Sequence, residues 1–230
     1  MDFVSGFQKI FGAKRWLELY DARGEVMAGF VMTVKVSFFS LIFALVIGVL
    51  VGLALASGRR WLERICRAYI AFFQNTPLVI QVILIYLVIM PAMGIYRKKV
   101  EAGIIGLSIY TGAYCATIVH SAIQSVPAGQ FEAASSQGFG FWRSMAHVIL
   151  PQAVRIALPP LTNQAVNLIK NSSVLAVITA RDLIYSLDSI AARSDNYGPP
   201  LLMTGLLYLC ICLPISLIAR HLEGRLVHHG

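Results

Sequence analysis

Residues 36–58 read V-S-F-F-S-L-I-F-A-L-V-I-G-V-L-V-G-L-A-L-A-S-G, a stretch of 23 residues without Asp, Glu, Lys or Arg. About 20 consecutive apolar residues are enough to cross the hydrocarbon core of a bilayer as a helix. Because lipid offers no water to backbone N–H and C=O groups, such a stretch must bond them internally, as a helix does. The apolar run is continuous rather than alternating, which excludes a transmembrane β-barrel. We therefore predict a membrane-spanning helix here.

Four further segments of the chain repeat this pattern. Uncharged runs of 29, 30 and 24 residues cover 68–96, 102–131 and 196–219, and 156–180 is apolar apart from Lys170. Of the 230 residues, 57% are hydrophobic and 13% are charged, whereas soluble domains average about 45–50% and about 25%. This composition excludes an ordinary soluble enzyme. It predicts an all-α, polytopic membrane protein with about five transmembrane helices in one domain over residues 1–230.

The basic residues predict how the chain is oriented in the membrane. The connection 58–67 carries Arg59, Arg60, Arg64 and Arg67 against one acid, and the end of the chain is also basic. By the positive-inside rule both are cytoplasmic, which with five spans places the N-terminus outside. The basic run 97–99 falls on the predicted outside, against this trend. We interpret the net charge of +8 as a topology and lipid-headgroup signal, and expect no nucleic-acid partner.

Small residues recur every fourth position in the first span, at Ala44, Gly48, Gly52 and Ala56. This spacing puts them on one helical face, where another helix can approach closely. The other helix could belong to this chain or to a second copy.

The segment between the third and fourth spans, 125–151, reads S-V-P-A-G-Q-F-E-A-A-S-S-Q-G-F-G-F-W-R-S-M-A-H-V-I-L-P. Pro127 suits the first turn of a helix, and 130–137 then predicts a short helix of polar and small residues. Gly138 and Gly140 indicate a turn or a helix C-cap, and Pro151 predicts another break. A connection this long is expected to do more than connect, although a plain amphipathic surface helix is the alternative.

Polar residues in the predicted fourth and second spans are candidates for a substrate pathway. Asn163, Asn167 and Lys170 share one face of a helix. A lysine at mid-depth costs about 2.5–3.5 kcal/mol on insertion scales, so it usually lines a cavity or meets a partner charge. The alternative is that Lys170 lies near the outer end of the span and extends to the interface. Asn75 and Gln81 are further candidates.

Five motifs in the same order resemble a known family. Glu132-Ala133-Ala134, Gly138 and Val148-Ile149-Leu150-Pro151 resemble the EAA loop of ABC importer permeases, with valine where the family has isoleucine. Four other stretches are similar to the polar amino acid branch (histidine, glutamine and glutamate permeases), over about residues 28–220. They are Asn75-Thr76-Pro77-Leu78 with Gln81, Ser125-Val126-Pro127 with Gly129-Gln130, Leu150-Pro151-Gln152-Ala153, and Pro159-Pro160 with Asn163 and Lys170-Asn171-Ser172-Ser173.

The resemblance implies a transmembrane permease subunit of an ATP-driven importer that moves a polar amino acid across the bacterial cytoplasmic (inner) membrane. Its implied partners are a second permease subunit, identical or paralogous, two ATP-binding subunits and an extracytoplasmic solute-binding protein. It also implies that a coupling helix around Glu132, Ala133, Ala134, Gly138 and Pro151 docks on the ATP-binding subunit.

We expect the chain itself to be non-catalytic. It contains no Gly-Lys dipeptide and hence no phosphate-binding P-loop, so ATP and Mg²⁺ would bind the partner subunits. Its four cysteines lack metal-ligand spacing, and we expect neither a cofactor nor a metal site. A stand-alone secondary amino acid transporter and a membrane scaffold are the alternatives. The first would be expected to carry inverted repeats and intramembrane carboxylates, and the second would not need polar faces on two spans.

Overall fold

The computed structural model describes residues 11–227 and is helical almost throughout, with no strand in that range. This confirms the all-α class. The α-helices are α1 (Ala13–Asp21), α2 (Arg23–Ala56), α3 (Arg60–Asn75), α4 (Leu78–Leu84), α5 (Met90–Ala92), α6 (Lys99–Gln124), α7 (Ala128–Ser136), α8 (Phe141–Ser144), α9 (Leu150–Asn171), α10 (Leu183–Ser194) and α11 (Gly198–Val227). Two π-helical turns, Ile85–Ile89 and Met145–Ile149, and a 3₁₀ helix, Ser172–Ile178, join some of them.

Three of the five predicted spans coincide with helices of membrane-crossing length, and a fourth coincides with a bent pair of shorter helices. Within the described residues α2, α6 and α11 are long and apolar enough to cross a bilayer, and α3 together with Leu78–Ala92 forms a fourth, interrupted candidate. The predicted span 156–180 differs, because α9 starts earlier, at Leu150, ends at Asn171 and continues as a 3₁₀ helix. Its many polar residues keep it below the hydropathy of the others.

The predicted connection 58–67 is mostly helix. Only the residues around Gly58, whose φ is +70°, separate α2 from α3, and the arginines therefore lie on the first turns of an amphipathic helix. That helix ends at Asn75 because Thr76, which precedes Pro77, adopts an extended conformation (φ −113°, ψ 144°). A residue before proline is pushed out of the α region by the proline ring. The predicted span 68–96 is consequently broken at this point.

The chain divides into two compact units. One comprises the described residues up to Ser40, Leu78–Gly106 and Leu168–Pro214, and the other Leu41–Pro77, Leu107–Asn167 and the described residues from Ile215 onward. We call them the first and the second unit. The assignment of residues 1–230 to one permease domain stays a prediction.

In the first unit, α1 packs on α10. Leu19 contributes to a buried cluster with Leu183, Leu187 and Ile190. At the surface, Glu25 and Arg193 form an ion pair with an oxygen–nitrogen distance of 2.7 Å. On the same helix, Arg15 donates to the carbonyl of Ser194 at the end of α10 (3.0 Å), whereas the large apolar side chains of Leu17 and Tyr20 remain exposed.

In the second unit, the small-residue face of α2 packs against α6. A methyl group at Gly48 would overlap Cys115, and one at Gly52 would lie 2.7 Å from Val119 Cγ1. Glycine is required at both positions because the two helices approach within backbone contact. Of the two readings of this stripe, the structure confirms packing against a helix of the same chain.

Candidate functional site

The segment predicted to couple the chain to a partner contains a short helix, as expected. α7 covers Ala128–Ser136, with Pro127 immediately before it rather than inside its first turn. Glu132 and Ala133 are exposed, whereas Ala134 is buried. The helix therefore presents its acidic and small residues outward, where a groove in another protein could receive them.

Gly138 ends this helix in a left-handed conformation, with φ +78°. The N–H of Gly138 donates to the carbonyl of Ser135 (2.9 Å), and the N–H of Phe139 donates to the carbonyl of Ala134 (3.0 Å). This pair of hydrogen bonds is the Schellman motif, which satisfies the last carbonyls of a helix. No atom lies within 4 Å of where a side chain at Gly138 would start, so only the backbone conformation requires glycine. Gly140, by contrast, has an ordinary φ of −71°.

The coupling segment is anchored to the core of the second unit. Phe131 packs against a buried cluster formed by α6, the π-turn Met145–Ile149 and α9, and the carboxamides of Gln130 and Gln152 lie 3.4 Å apart. Force on α7 would therefore be transmitted to packed side chains. The buried members of the cluster are Val119, Ala122, Ile123, Val126, Met145, Ile149, Ala153 and Ala157.

Pro151 does not break the chain as predicted. The helical path continues from α8 through the π-turn Met145–Ile149 into α9, and Leu150 N–H donates to the carbonyl of Met145 five residues earlier. A proline ring clashes with the carbonyl four residues before it in an α-helix. The wider π-turn accommodates the ring. The π-turn Ile85–Ile89 likewise precedes Pro91 by one residue, and Met90 N–H donates to the carbonyl of Ile85.

The predicted substrate-pathway residues are distributed over both units. Asn75 and the pair Asn163 and Asn167 belong to the second unit, and Gln81 and Lys170 to the first. Asn163, Asn167 and Lys170 are all exposed, on one continuous helix, α9.

Asn75 and Gln81 differ in surroundings. Asn75 is exposed and its amide nitrogen donates to the carbonyl of Ala71 (2.7 Å), which helps to close α3. Gln81 is 5% exposed, so its side chain is buried.

A buried carboxylate that the sequence analysis did not single out lies in the first unit. Asp182 is fully buried and caps α10, with Oδ1 accepting from Tyr185 N–H at 3.2 Å. Beside it, Leu183 N–H donates to the Thr33 hydroxyl at 2.9 Å. Burial raises the pKa of Asp182 to about 6. An Asp immediately before a helix is an N-cap signal that the sequence shows. The burial of Asp182 could not be predicted from the sequence.

Within residues 11–227 no group of three or more His, Cys, Asp or Glu side chains could hold a metal ion. The four cysteines, of which Cys66 and Cys115 are buried, are free thiols.

Comparison with known sequences identifies close relatives. A family model described as "Binding-protein-dependent transport system inner membrane component" matches residues 44–228. The chain is 36% identical to the Bacillus subtilis (strain 168) "Probable glutamine ABC transporter permease protein GlnM" over 208 residues, which is 90% of this chain and 96% of that protein. It is also 36% identical to the "Probable amino-acid ABC transporter permease protein YckA" of the same organism, over 97% of both chains.

Solved structures agree with the sequence relatives. A chain from a crystal structure of an amino acid ABC transporter with histidines superposes with a TM-score of 0.83 at 30% identity, covering 91% of this chain and 97% of that one. A chain of the MetNI methionine ABC transporter, in an inward-facing conformation, superposes with a TM-score of 0.74 over 87% of this chain and 95% of that one. At 20% identity the latter supports the fold alone.

Proposed function

We propose, because this chain belongs to the family of binding-protein-dependent transport system inner membrane components, that it is the permease subunit of an ATP-driven importer for a polar amino acid. The relatives GlnM and YckA carry names for glutamine and amino-acid permeases, which supports that substrate class. Membership of this family places the chain in the inner membrane.

The observation that carries the mechanism is the geometry of the coupling segment. An exposed short helix, α7, ends in a glycine turn and rests on a buried cluster of the second unit. We infer that Glu132, Ala133, Ala134, Gly138 and Pro151 belong to the surface that meets an ATP-binding subunit. Coupling between two proteins is carried by packed elements with discrete arrangements, and the packing of Phe131 of α7 on the buried cluster supports such a role.

The family implies partners that bind ATP and deliver substrate. We propose two permease subunits, either identical or paralogous, over two ATP-binding subunits, with an extracytoplasmic solute-binding protein as donor. The present chain would be non-catalytic and bind no cofactor. It lacks a P-loop, so ATP and Mg²⁺ would bind to the ATP-binding subunits instead.

We further propose that Lys170 supplies positive potential for the substrate carboxylate. Its side chain is exposed on α9, and an intramembrane cation usually serves a pathway or a partner charge. Asn167 and Asn163, and more remotely Gln81 and Asn75, are the other candidates for the pathway.

We also propose an orientation with the N-terminus outside and the C-terminus in the cytoplasm. The arginines at the start of α3, Arg59, Arg60, Arg64 and Arg67, support it by the positive-inside rule. On this orientation α7 faces the cytoplasm, where ATP is available.

The test is amino acid uptake by the purified chain, reconstituted in vesicles with its ATP-binding and solute-binding partners. We expect uptake of labelled L-glutamine or another polar amino acid that requires ATP and both partners. A secondary transporter would instead respond to an ion gradient without ATP, and a scaffold would give no uptake. Either outcome would overturn the proposed function.

A further inference from the structure

A polar cavity of about 350 Å³ lies in the second unit. α3 contributes Arg67, Ile70, Ala71 and Gln74, and α6 contributes Thr117 and His120, with Leu55 of α2 closing one side. Small-molecule sites fall in the range of about 300–1,000 Å³ and combine apolar walls with a few converging polar groups. This cavity has that composition.

The polar groups of the cavity differ in which hydrogen-bond donors and acceptors remain available to a ligand. The Gln74 amide nitrogen donates to the carbonyl of Ala113 (3.2 Å) and to the Thr117 hydroxyl (3.1 Å). Because a backbone carbonyl can only accept, the first contact fixes the amide orientation and leaves Oε1 of Gln74 as an acceptor. Thr117 also donates to Ala113, so it acts as a structural support.

Arg67 and His120 provide the donors. The Arg67 side chain is 65% exposed at the mouth of the cavity, and its Nε and Nη2 both contact Oε1 of Glu63, at 2.9 and 2.8 Å. Its remaining Nη1 is a further donor. His120 is half-buried and makes no hydrogen bond to the protein within residues 11–227, so its ring can donate as well.

This set of groups is complementary to a zwitterionic amino acid. A carboxylate prefers charged planar donors such as a guanidinium, an ammonium group needs acceptors, and the walls formed by Leu55, Ile70 and Ala71 suit an aliphatic stem. We propose that this cavity is a binding site for the α-amino acid being transported, with its carboxylate on Arg67 and His120 and its ammonium on Gln74 Oε1. The inference rests on the proposed function.

The position of the cavity agrees with a late step in transport. It shares the second unit with the coupling segment, and α6 belongs to both, since Val119 packs into the buried cluster while its neighbour His120 lines the cavity. On the proposed orientation this is the cytoplasmic part of the chain. The site would hold substrate before its release.

The test is equilibrium binding to the nucleotide-free complex of permease and ATP-binding subunits, without the solute-binding protein, in lipid nanodiscs. The first probe is the labelled amino acid that the wild-type complex imports, beginning with L-glutamine. The second, matched probe is the α-amide of that amino acid, L-glutaminamide in the case of L-glutamine, which lacks the α-carboxylate. We expect Arg67→Gln and His120→Gln each to weaken binding of the amino acid at least tenfold while leaving the already weak binding of the amide unchanged. Arg64→Gln, on the same helix but outside the cavity, should match the wild type.

Arg67→Gln also removes the ion pair with Glu63, which could disturb folding. Ala71→Phe therefore provides a second variant that tests the cavity. It keeps every charge and fills the cavity, and it should weaken binding at least tenfold without lowering the melting temperature. Wild-type affinity in His120→Gln and Ala71→Phe would overturn the site, as would an equal loss in Arg64→Gln. If the wild-type complex imports no amino acid at all, the proposed function fails instead, and the two failures are thereby distinguished.

Discussion

Replacing Gly138 by valine tests whether the glycine turn aims the coupling helix. At φ +78° an L-residue pays about 1–2 kcal/mol relative to the right-handed region, and a β-branched residue lies at the upper end because its side chain is most restricted. Since no atom lies within 4 Å of the position of a new Cβ, this backbone term is the whole effect. A difference of 1.4 kcal/mol is tenfold in an equilibrium constant.

We therefore expect Gly138→Val to lower the equilibrium constant for the correctly turned segment by about one order of magnitude, and to lower ATP-driven uptake with it. The series Gly138→Asn, Gly138→Ala and Gly138→Val should show increasing loss, because asparagine tolerates the left-handed region best. Gly140→Val is the matched control, two residues away in an extended conformation (φ −71°, ψ 166°) that any residue adopts.

The assay is initial uptake rate in reconstituted vesicles, with the amount of inserted protein and its melting temperature measured in parallel. If Gly138→Val and Gly140→Val transport equally well, or if the Gly138 series shows no order, the argument that the turn aims the helix is refuted.

Three further outcomes are expected. Glu132→Ala should lower uptake less than Gly138→Val does, measured in the same vesicles, because it removes one polar contact from an exposed surface; a complete loss would contradict this ranking. Lys170→Met should insert normally yet transport more slowly, and Lys170→Arg should retain part of the uptake rate because the charge survives; full activity of Lys170→Met would make the lysine structural. Asp182, whose pKa is raised to about 6 from about 4 in an unfolded chain, binds its proton more tightly when folded, so folding stability should fall by about 3 kcal/mol between pH 3 and pH 7. Thermal unfolding of Asp182→Asn in detergent, where the amide oxygen can still cap α10, should lack this fall, and an unchanged pH profile would show that another group causes it.

The sequence by itself determined those features that depend on local composition. Membrane insertion depends on the apolar length of each segment, so the three long spans α2, α6 and α11 could be located from uncharged runs alone. The end of α7 at Gly138 was also predictable, because a glycine after a helical run is the local solution for the last carbonyls. The family followed from motif order, which is a linear property of the chain.

Tertiary structure decided what depends on neighbours distant in sequence. Pro151 was expected to break the helix, yet a π-turn supported by packing of Met145 and Ile149 carries the chain through. The predicted span 68–96 is likewise broken at Thr76-Pro77. Asp182 was readable as a cap but not as a buried charge, because burial depends on which helices cover it.

The polar cavity shows the same limit most clearly. Arg67 and His120 are 53 positions apart in the chain, and nothing in the local pattern of α3 or α6 relates them. They line one cavity because α2 and α6 pack through glycines and α3 lies beside them. A site assembled across helices is set by packing, whereas a span or a cap is set by the residues within one turn or one segment. That difference in range is the physical reason why sequence sufficed for the spans and only the fold could place these side chains together.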